Sequence, residues 1–127
     1  MEQKIKVEME VVIEDDDIDD IMVSALEGGI NYWCWKAEVV GEYLGEWAHE
    51  QISRGGELKL YDIESDDTWI LNKEKFLKGI EKFLLTEDGV ESMFAQNESI
   101  LIDPSMIDAG MADSIVQYAL FGEIVFG

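Results

Sequence analysis

The chain has 127 residues, 29 of them acidic and nine basic, which gives a formal net charge of −20 at pH 7. This length suits one domain with one core, and an apolar fraction of 47% excludes an intrinsically disordered chain. Nucleic acids and anionic membranes bind clustered Lys and Arg, so the charge argues against direct contact with either.

The same sequence indicates the compartment. No run approaches the ~18–20 apolar residues that span a bilayer, and the opening "MEQKIKVEMEVVIE" lacks the apolar centre of a signal peptide. The single cysteine, Cys34, cannot form an internal disulfide and fits a reducing environment. We therefore expect a cytoplasmic protein.

The first elements are a strand and a helix. The segment "KIKVEMEVVI" alternates apolar and polar residues, which predicts a strand with one buried face. The apolar positions of this pattern are Ile5, Val7, Met9, Val11 and Ile13. The acidic run "EDDDIDD" then begins a helix predicted from about Asp17 to Glu27, with aspartates at the positive end of its dipole. Gly28 and Gly29 are expected to end it in a left-handed conformation.

The middle of the chain predicts a hairpin and a second helix. Residues 30–56 are interpreted as a short extended piece followed by a loose helix. The segments "ELKLYDI" and "TWIL" flank the acidic turn "ESDD" and predict the hairpin. Asn72 is expected to cap a helix with Phe76, Ile80 and Phe83 on its buried face. Residues 86–103 are expected to be irregular, apart from a short strand at "ILI".

The last predicted elements are a third helix and a strand. Asp108 is expected to cap the helix, Ile115 and Val116 to face the core, and Gly122 to end it. A final strand is predicted at "EIVF". Strands and helices interleave without a regular βαβ repeat, which predicts a single α+β domain over residues 1–127, with a mainly antiparallel sheet packed against about three helices.

Four stretches of the sequence resemble a known group of proteins. The stretches are "IDDIMVSALEGGINYWC", "EVVGEYLGE", "QISRGGELKLYD" and "ADSIVQYALFGEIVFG". They are similar to an uncharacterised family of small acidic proteins carried by phages, prophages and mobile elements of Gram-positive gut-type bacteria. No activity or catalytic residue comes with this resemblance. What it implies is a context, because accessory genes of mobile elements often act against host defence.

The residues favour no catalytic or metal site, so we expect neither an enzyme nor a cofactor. Cys34 and His49 are candidates for a nucleophile and base, but the sequence shows no third group to orient them, and a cysteine between two tryptophans suits a buried position. The aspartates from Asp15 resemble a calcium loop, yet its sixth position holds Asp20 in place of glycine, and its twelfth holds Leu26 in place of glutamate.

A second candidate site surrounds the only arginine. Arg54 precedes Gly55 and Gly56, which allow backbone amides to approach a ligand. With an aromatic platform, the arginine would hold a nucleotide phosphate while the base stacks. The candidate platform residues are Trp33, Trp35 and Trp47. The alternative interpretation is a turn in which Arg54 pairs with a neighbouring acid and at least one of these tryptophans lies in the core.

The leading functional hypothesis rests on the acids. A compact domain of this length is about 36 Å across, and B-DNA of that length carries roughly 21 phosphate charges. We therefore expect a DNA mimic of the anti-CRISPR or anti-restriction type, which inhibits a host defence protein by binding its basic nucleic-acid-binding surface. The expected contact residues are Asp15, Asp16, Asp17, Asp19, Asp20, Glu64, Asp66 and Asp67. A sponge for a nucleotide immune signal and an unrelated small regulator are the alternatives, and the sequence leaves a homo-oligomer open.

Overall fold

Four α-helices and six strands make up the computed structural model, which describes residues 1–127. The helices are α1 (Asp15–Ser24), α2 (Lys73–Leu84), α3 (Glu87–Glu91) and α4 (Ala109–Phe121). The strands are β1 (Val11–Val12), β2 (Cys34–Val40), β3 (Glu57–Asp62), β4 (Thr68–Leu71), β5 (Met93–Gln96) and β6 (Ser99–Ile102). Residues from both kinds of element form one buried cluster, and the predicted α+β class is confirmed. None of the helices has the length and apolarity needed to cross a membrane.

The strands form two three-stranded sheets. The first has the order β2-β3-β4, is antiparallel throughout and contains the predicted hairpin. The second has the order β1-β6-β5, with β1 parallel and β5 antiparallel to β6. The sheets are therefore mainly antiparallel, as predicted, but there are two of them.

Local signals place α2 and α4 correctly. The side chains of Asn72 and Asp108 cap these helices by accepting hydrogen bonds from the backbone amides of Lys75 and Met111, at 2.9 and 2.8 Å. Gly122 ends α4 in the left-handed conformation, with φ +74°. The predicted inward residues Phe76, Ile80, Phe83, Ile115 and Val116 are all buried. Capping and helical periodicity are therefore sufficient for these two elements.

The predicted N-terminal strand is wrong over most of its length. Only Val11 and Val12 pair, opposite Ile100 and Leu101 of β6, and the side chains of Ile5, Val7 and Met9 are exposed. The partner strand begins at Ser99, directly after a turn that places Asn97 at a positive φ of 56°. Residues before Val11 therefore have no neighbouring strand in this chain.

The first helix differs from its prediction at both ends. It begins at Asp15, after Glu14, and passes at Ser24 into a π-helical turn over Ala25–Gly29. Gly28 and Gly29 do not adopt a left-handed conformation. Gly29 instead lies against the backbone carbonyl of Ala109 at the start of α4, where a side chain would not fit. Gly29 therefore allows the two segments to approach closely. The sequence alone does not distinguish this role of a glycine from that of ending a helix.

Two loop regions are also corrected. The predicted loose helix is only a 3-10 turn, Ala48–Glu50, although the extended piece before it exists as β2. Residues 86–103, predicted as irregular, contain α3 and the hairpin of β5 and β6, of which only "ILI" was predicted. Helix α3 has five residues and β5 has four, and such short elements carry too few residues for a periodic signal.

The predicted final strand at "EIVF" does not form. The side chain of Gln117 makes hydrogen bonds with the backbone groups that would pair with a neighbouring strand. The Oε1 atom of Gln117 accepts hydrogen bonds from the amides of Val125 and Phe126, both at 2.8 Å. Its Nε2 atom donates to the carbonyl of Phe126 at 3.1 Å. The C-terminal tail is thus bound to α4 and not to a sheet.

A substitution at Gly79 tests the packing of α2 against α4. A Cβ atom on Gly79 would lie 2.6 Å from the carbonyl oxygen of Ile115 and 2.8 Å from Cβ of Ala119. Gly79→Ala should therefore separate the helices and lower the free energy of unfolding by about 1–3 kcal/mol, measured by urea denaturation. Gly28→Ala is the matched control, because a Cβ there would meet nothing within 4 Å. Equal stability of the two variants would contradict this packing.

Candidate functional site

The candidate site is an open cleft of about 630 Å³ between the segment after β2, the turn before β3 and the start of α2. Its charged lining residues are Glu42, Glu57, Glu74 and Lys73. Each comes from the end of an element or from a loop. The cleft therefore carries three carboxylates around one ammonium group.

A buried glutamine shapes one wall of this cleft. Gln51 is inaccessible to solvent, and its side-chain amide accepts from the backbone amide of Leu44 at 3.0 Å and donates to the carbonyl of Glu42 at 3.1 Å. Gly55 turns the chain with φ +89°, and Gly56 lies so close to Gln51 that a side chain would not fit. The glycines predicted as ligand-binding do line the cleft, but the amide of Gly55 donates to the carbonyl of Ile52 and that of Gly56 to the carbonyl of Gln51.

Lys73 joins the cleft to the start of α1. Its Nζ atom lies 3.1 Å from Oδ1 of Asp15 and donates to the carbonyl of Ser53 at 3.0 Å. Glu14, Asp15 and Asp16 line an adjoining depression. We call the combined surface the acidic face. It consists of Glu14, Asp15, Asp16, Glu42, Glu57 and Glu74.

The remaining predicted contact acids lie elsewhere or are engaged. Asp17 accepts a hydrogen bond from the backbone amide of Glu14 at 2.9 Å, and Asp17 and Asp19 are half-buried, whereas Asp20 is exposed. One carboxylate oxygen of Asp19 is buried without a hydrogen-bond partner. The aspartates after Asp16 thus belong in part to the structure of α1.

The acidic turn between β3 and β4 is separate from the acidic face. Glu64, Asp66 and Asp67 are exposed at the end of the hairpin where β4 begins, whereas Lys73 and its partner Asp15 lie beyond the end of β4. The four residues of β4 place about 14 Å between these ends, at 3.4 Å per residue. The predicted contact acids therefore form two groups and not one cluster.

Few acids have a cationic partner. Four ion pairs are present, and they involve four of the 29 carboxylates. The pair between Lys36 and Glu38, at 2.9 Å, raises the pKa of the lysine and lowers that of the glutamate. Most of the negative charge is consequently uncompensated at the surface, where it adds to a common field.

Arg54 is directed to an acid and not to the cleft. Its Nη2 atom lies 3.4 Å from Oε2 of Glu50. The other oxygen of Glu50 accepts from the backbone amides of Trp47 and Glu46, both at 2.9 Å. Hydrogen bonding, first of all from Trp47, lowers the pKa of Glu50. This is the arrangement of the alternative interpretation, in which the arginine stabilises a turn.

The three tryptophans do not form one platform. Trp33 is fully buried and stacks on Phe126, with ring centroids 5.0 Å apart. Trp35 is exposed and lies 5.6 Å from the ring of Tyr61, and Trp47 is exposed. None of them lines the cleft beside Gly55. Trp33 is therefore a core residue, and its role as a candidate ligand contact is corrected.

A buried carboxylate holds Trp33 in place. Asp113 accepts hydrogen bonds from Nε1 of Trp33 at 2.7 Å, from the hydroxyl of Tyr32 at 2.6 Å and from Nε2 of Gln117 at 2.9 Å. Burial, together with the bond to Asp113, raises the pKa of Tyr32 to about 12. These groups connect the turn before β2 to α4, and we interpret them as structural.

The cysteine has a structural environment. Its Sγ atom donates to the carbonyl of Lys36 at 3.2 Å, and burial raises the pKa of the Cys34 thiol. None of its hydrogen bonds involves His49. A raised pKa disfavours the thiolate, which is the reactive form. No group of three or more His, Cys, Asp or Glu side chains is arranged to hold a metal ion.

Sequence reasoning missed the carboxylates that line the cleft. Glu42, Glu57 and Glu74 are far apart in the sequence, and each follows an unremarkable local pattern. A signal existed only for Glu74, which lies in the first turn of a helix capped by Asn72. Their convergence depends on how β2, β3 and α2 pack, so no spacing in the sequence reveals it.

Comparisons of the chain with protein-family models, with curated proteins and with solved structures find no match.

Acid titration tests the position of Glu50. A lowered pKa in the folded state means that this carboxylate stabilises the fold above its ordinary pKa, and that the contribution is lost as pH falls through the lowered value. Glu50→Gln should therefore lower the melting temperature at about pH 7 and have a smaller effect at about pH 3. Glu46→Gln, whose carboxylate forms no hydrogen bond, is the control. A difference between wild type and Glu50→Gln that is unchanged by pH would contradict the arrangement.

Replacement of Cys34 tests its structural role. Cys34→Ala should reduce the free energy of unfolding by about 1 kcal/mol because a buried thiol is lost, and it should leave binding of any partner intact. Loss of function in a variant that is still folded, as judged by circular dichroism, would show that the thiol is functional.

Proposed function

We propose that the protein is a non-enzymatic inhibitor that binds the basic nucleic-acid-binding surface of a host defence protein through its acidic face. The observation that carries this proposal is the acidic face, in which three carboxylates line the cleft and three more line the depression beside it, while the only lysine of the cleft is already paired with Asp15. Arg and Lys side chains of a DNA-binding surface would meet this face in place of phosphates.

The chemistry of the face supports a protein partner. Asp16, Glu42 and Glu57 form no ion pair and no side-chain hydrogen bond, so they can receive cations without breaking an existing contact. Guanidinium groups bind carboxylates in a bidentate manner, and the cleft is open enough to admit side chains. The field of a −20 chain would also accelerate the encounter with a basic surface.

The biological context comes from the resemblance to phage and mobile-element proteins. Residues 17–62 and 108–127 carry that resemblance, and an accessory protein of this origin is expected to act against restriction or CRISPR systems in the host cytoplasm. The effectors of these systems bind nucleic acids through basic surfaces. An acidic protein would therefore be complementary in charge to these effectors.

The nucleotide sponge is less well supported. A phosphate in the cleft would face Glu42, Glu57 and Glu74, and the cation expected to hold it, Arg54, pairs with Glu50 outside the cleft. Neither Trp35 nor Trp47 lies in the cleft to stack on a base. The long-range repulsion of phosphates by the chain as a whole adds to this difficulty.

The test is displacement of labelled DNA from purified restriction and CRISPR effectors, followed by fluorescence anisotropy. Wild-type protein should displace DNA from one of them, and the association should weaken as salt rises past ~0.15 M, where the screening length is about 8 Å. The triple variant Asp16→Asn, Glu42→Gln, Glu57→Gln should slow association roughly tenfold, while its melting temperature falls only slightly because one favourable charge at the start of α1 is lost.

The matched control removes the same number of charges from the hairpin turn, through Glu64→Gln, Asp66→Asn and Asp67→Asn. This variant should retain most of the association rate, because the turn lies at the opposite end of β4. Equal losses in both variants would show that only net charge matters. An unaffected rate in the first variant would overturn the proposed acidic face.

A further inference from the structure

The N-terminal segment, residues 3–10, has the alternating pattern of an amphipathic strand and pairs with no strand of this chain. Ile5, Val7 and Met9 alternate with charged residues, and their side chains are 88%, 71% and 57% exposed. None of these residues has a positive φ. The segment leads directly into β1, which is an edge of its sheet and pairs on only one side, with β6. A free edge of this kind is a template for another strand.

The apolar side of this segment borders an unfilled groove. The groove has a volume of about 690 Å³, and nine of its ten lining residues are apolar. Met9, Val11 and Ile13 line it together with Leu77 and Leu84 of α2 and Val90 of α3. The odd-numbered residues of the segment therefore share one face, which is the face of the groove.

The charges of the segment are complementary to a reversed copy of the same segment. Lys4 and Lys6 precede Val7, and Glu8 and Glu10 follow it. In an antiparallel pair with Val7 opposite Val7, each copy places Lys4 opposite Glu10 and Lys6 opposite Glu8. The pairing thus forms four opposite-charge contacts, and cross-strand contacts of this kind stabilise sheets.

No other symmetric register achieves this. Centring the pair on Lys6 places the Lys6 side chains of the two copies opposite each other. Centring it on Glu8 places the two Glu8 side chains opposite each other. A register between two residues would place apolar side chains opposite charged ones. The charge pattern therefore selects both the partner, a second copy of the chain, and the register.

We propose that the protein forms a symmetric dimer in which the N-terminal strands of two copies pair antiparallel about Val7. Residues 3–10 extend β1, and the two sheets join into one of six strands, in the order β5-β6-extended β1 of one copy followed by extended β1-β6-β5 of its partner. The twofold axis keeps the odd-numbered residues of both strands on the same face. Ile5 of each copy lies opposite Met9 of the other and extends the apolar wall of the groove.

The first test is sedimentation velocity on the full chain at about 0.15 M salt. Wild-type protein should sediment as a dimer. The variant Lys4→Glu, Lys6→Glu should raise the dissociation constant at least roughly tenfold, because four attractive contacts become repulsive. Glu8→Lys, Glu10→Lys should weaken the dimer similarly, although it lowers the overall negative charge. Residues 4–10 are exposed, so neither variant should lose stability.

The decisive sample is an equal mixture of these two variants. One variant has an entirely acidic strand and the other an entirely basic one, so the mixture should form a heterodimer while each component alone remains largely monomeric. Lys75→Glu, Lys78→Glu is the control, since it changes the net charge as the first variant does, at α2, and should leave the dimer intact.

Three outcomes would overturn the proposal. A monomeric wild type would mean that the strand is left for a different protein. A dimer that none of the N-terminal variants weakens would place the interface elsewhere. A mixture that fails to associate would show that the charges do not determine the register.

Discussion

The carboxylate of Asp113 is the interaction on which the rest of the fold depends. It lies in the core and accepts hydrogen bonds from Tyr32, Trp33 and Gln117 without a cationic partner. Gln117 in turn holds the C-terminal tail through the backbone of Phe126. The turn before β2, helix α4 and the tail are thereby fixed around Trp33. A buried acid satisfied only by neutral donors leaves the few lysines available for other positions.

The small number of lysines explains why the surface is so negatively charged. Several lysines bind backbone carbonyls, as Lys82 does at Gly122 and Lys75 at Ile70, so they support helix ends more than they neutralise acids. Two of the three carboxylates of the cleft, Glu42 and Glu57, therefore have no cationic partner, whereas Glu74 pairs with Lys78 at 3.5 Å. Such a surface has an unfavourable self-energy, which a basic partner of the kind proposed would relieve.

An element could be predicted from the sequence where the interactions that form it are local. Asn72, Asp108 and Gly122 act within one turn of their helices, so α2 and α4 were predictable. The alternation around Val7 indicates which side chains share a face, but their burial would require a partner strand, and β6 begins only at Ser99, opposite the start of β1. The tail after Gly122 has strand-forming residues, yet Gln117 occupies its amides. The cleft joins Glu42, Glu57 and Glu74 through tertiary packing, which sequence spacing does not contain.

The most direct test of the acidic face is amide hydrogen exchange, measured by mass spectrometry on the protein alone and bound to an effector whose DNA it displaces. Binding through this face should slow exchange in residues 14–16, 42–44 and 55–57 and leave the hairpin turn at 63–67 unchanged. Protection confined to the turn, with the three cleft segments exchanging as in the free protein, would contradict the proposed mode of inhibition.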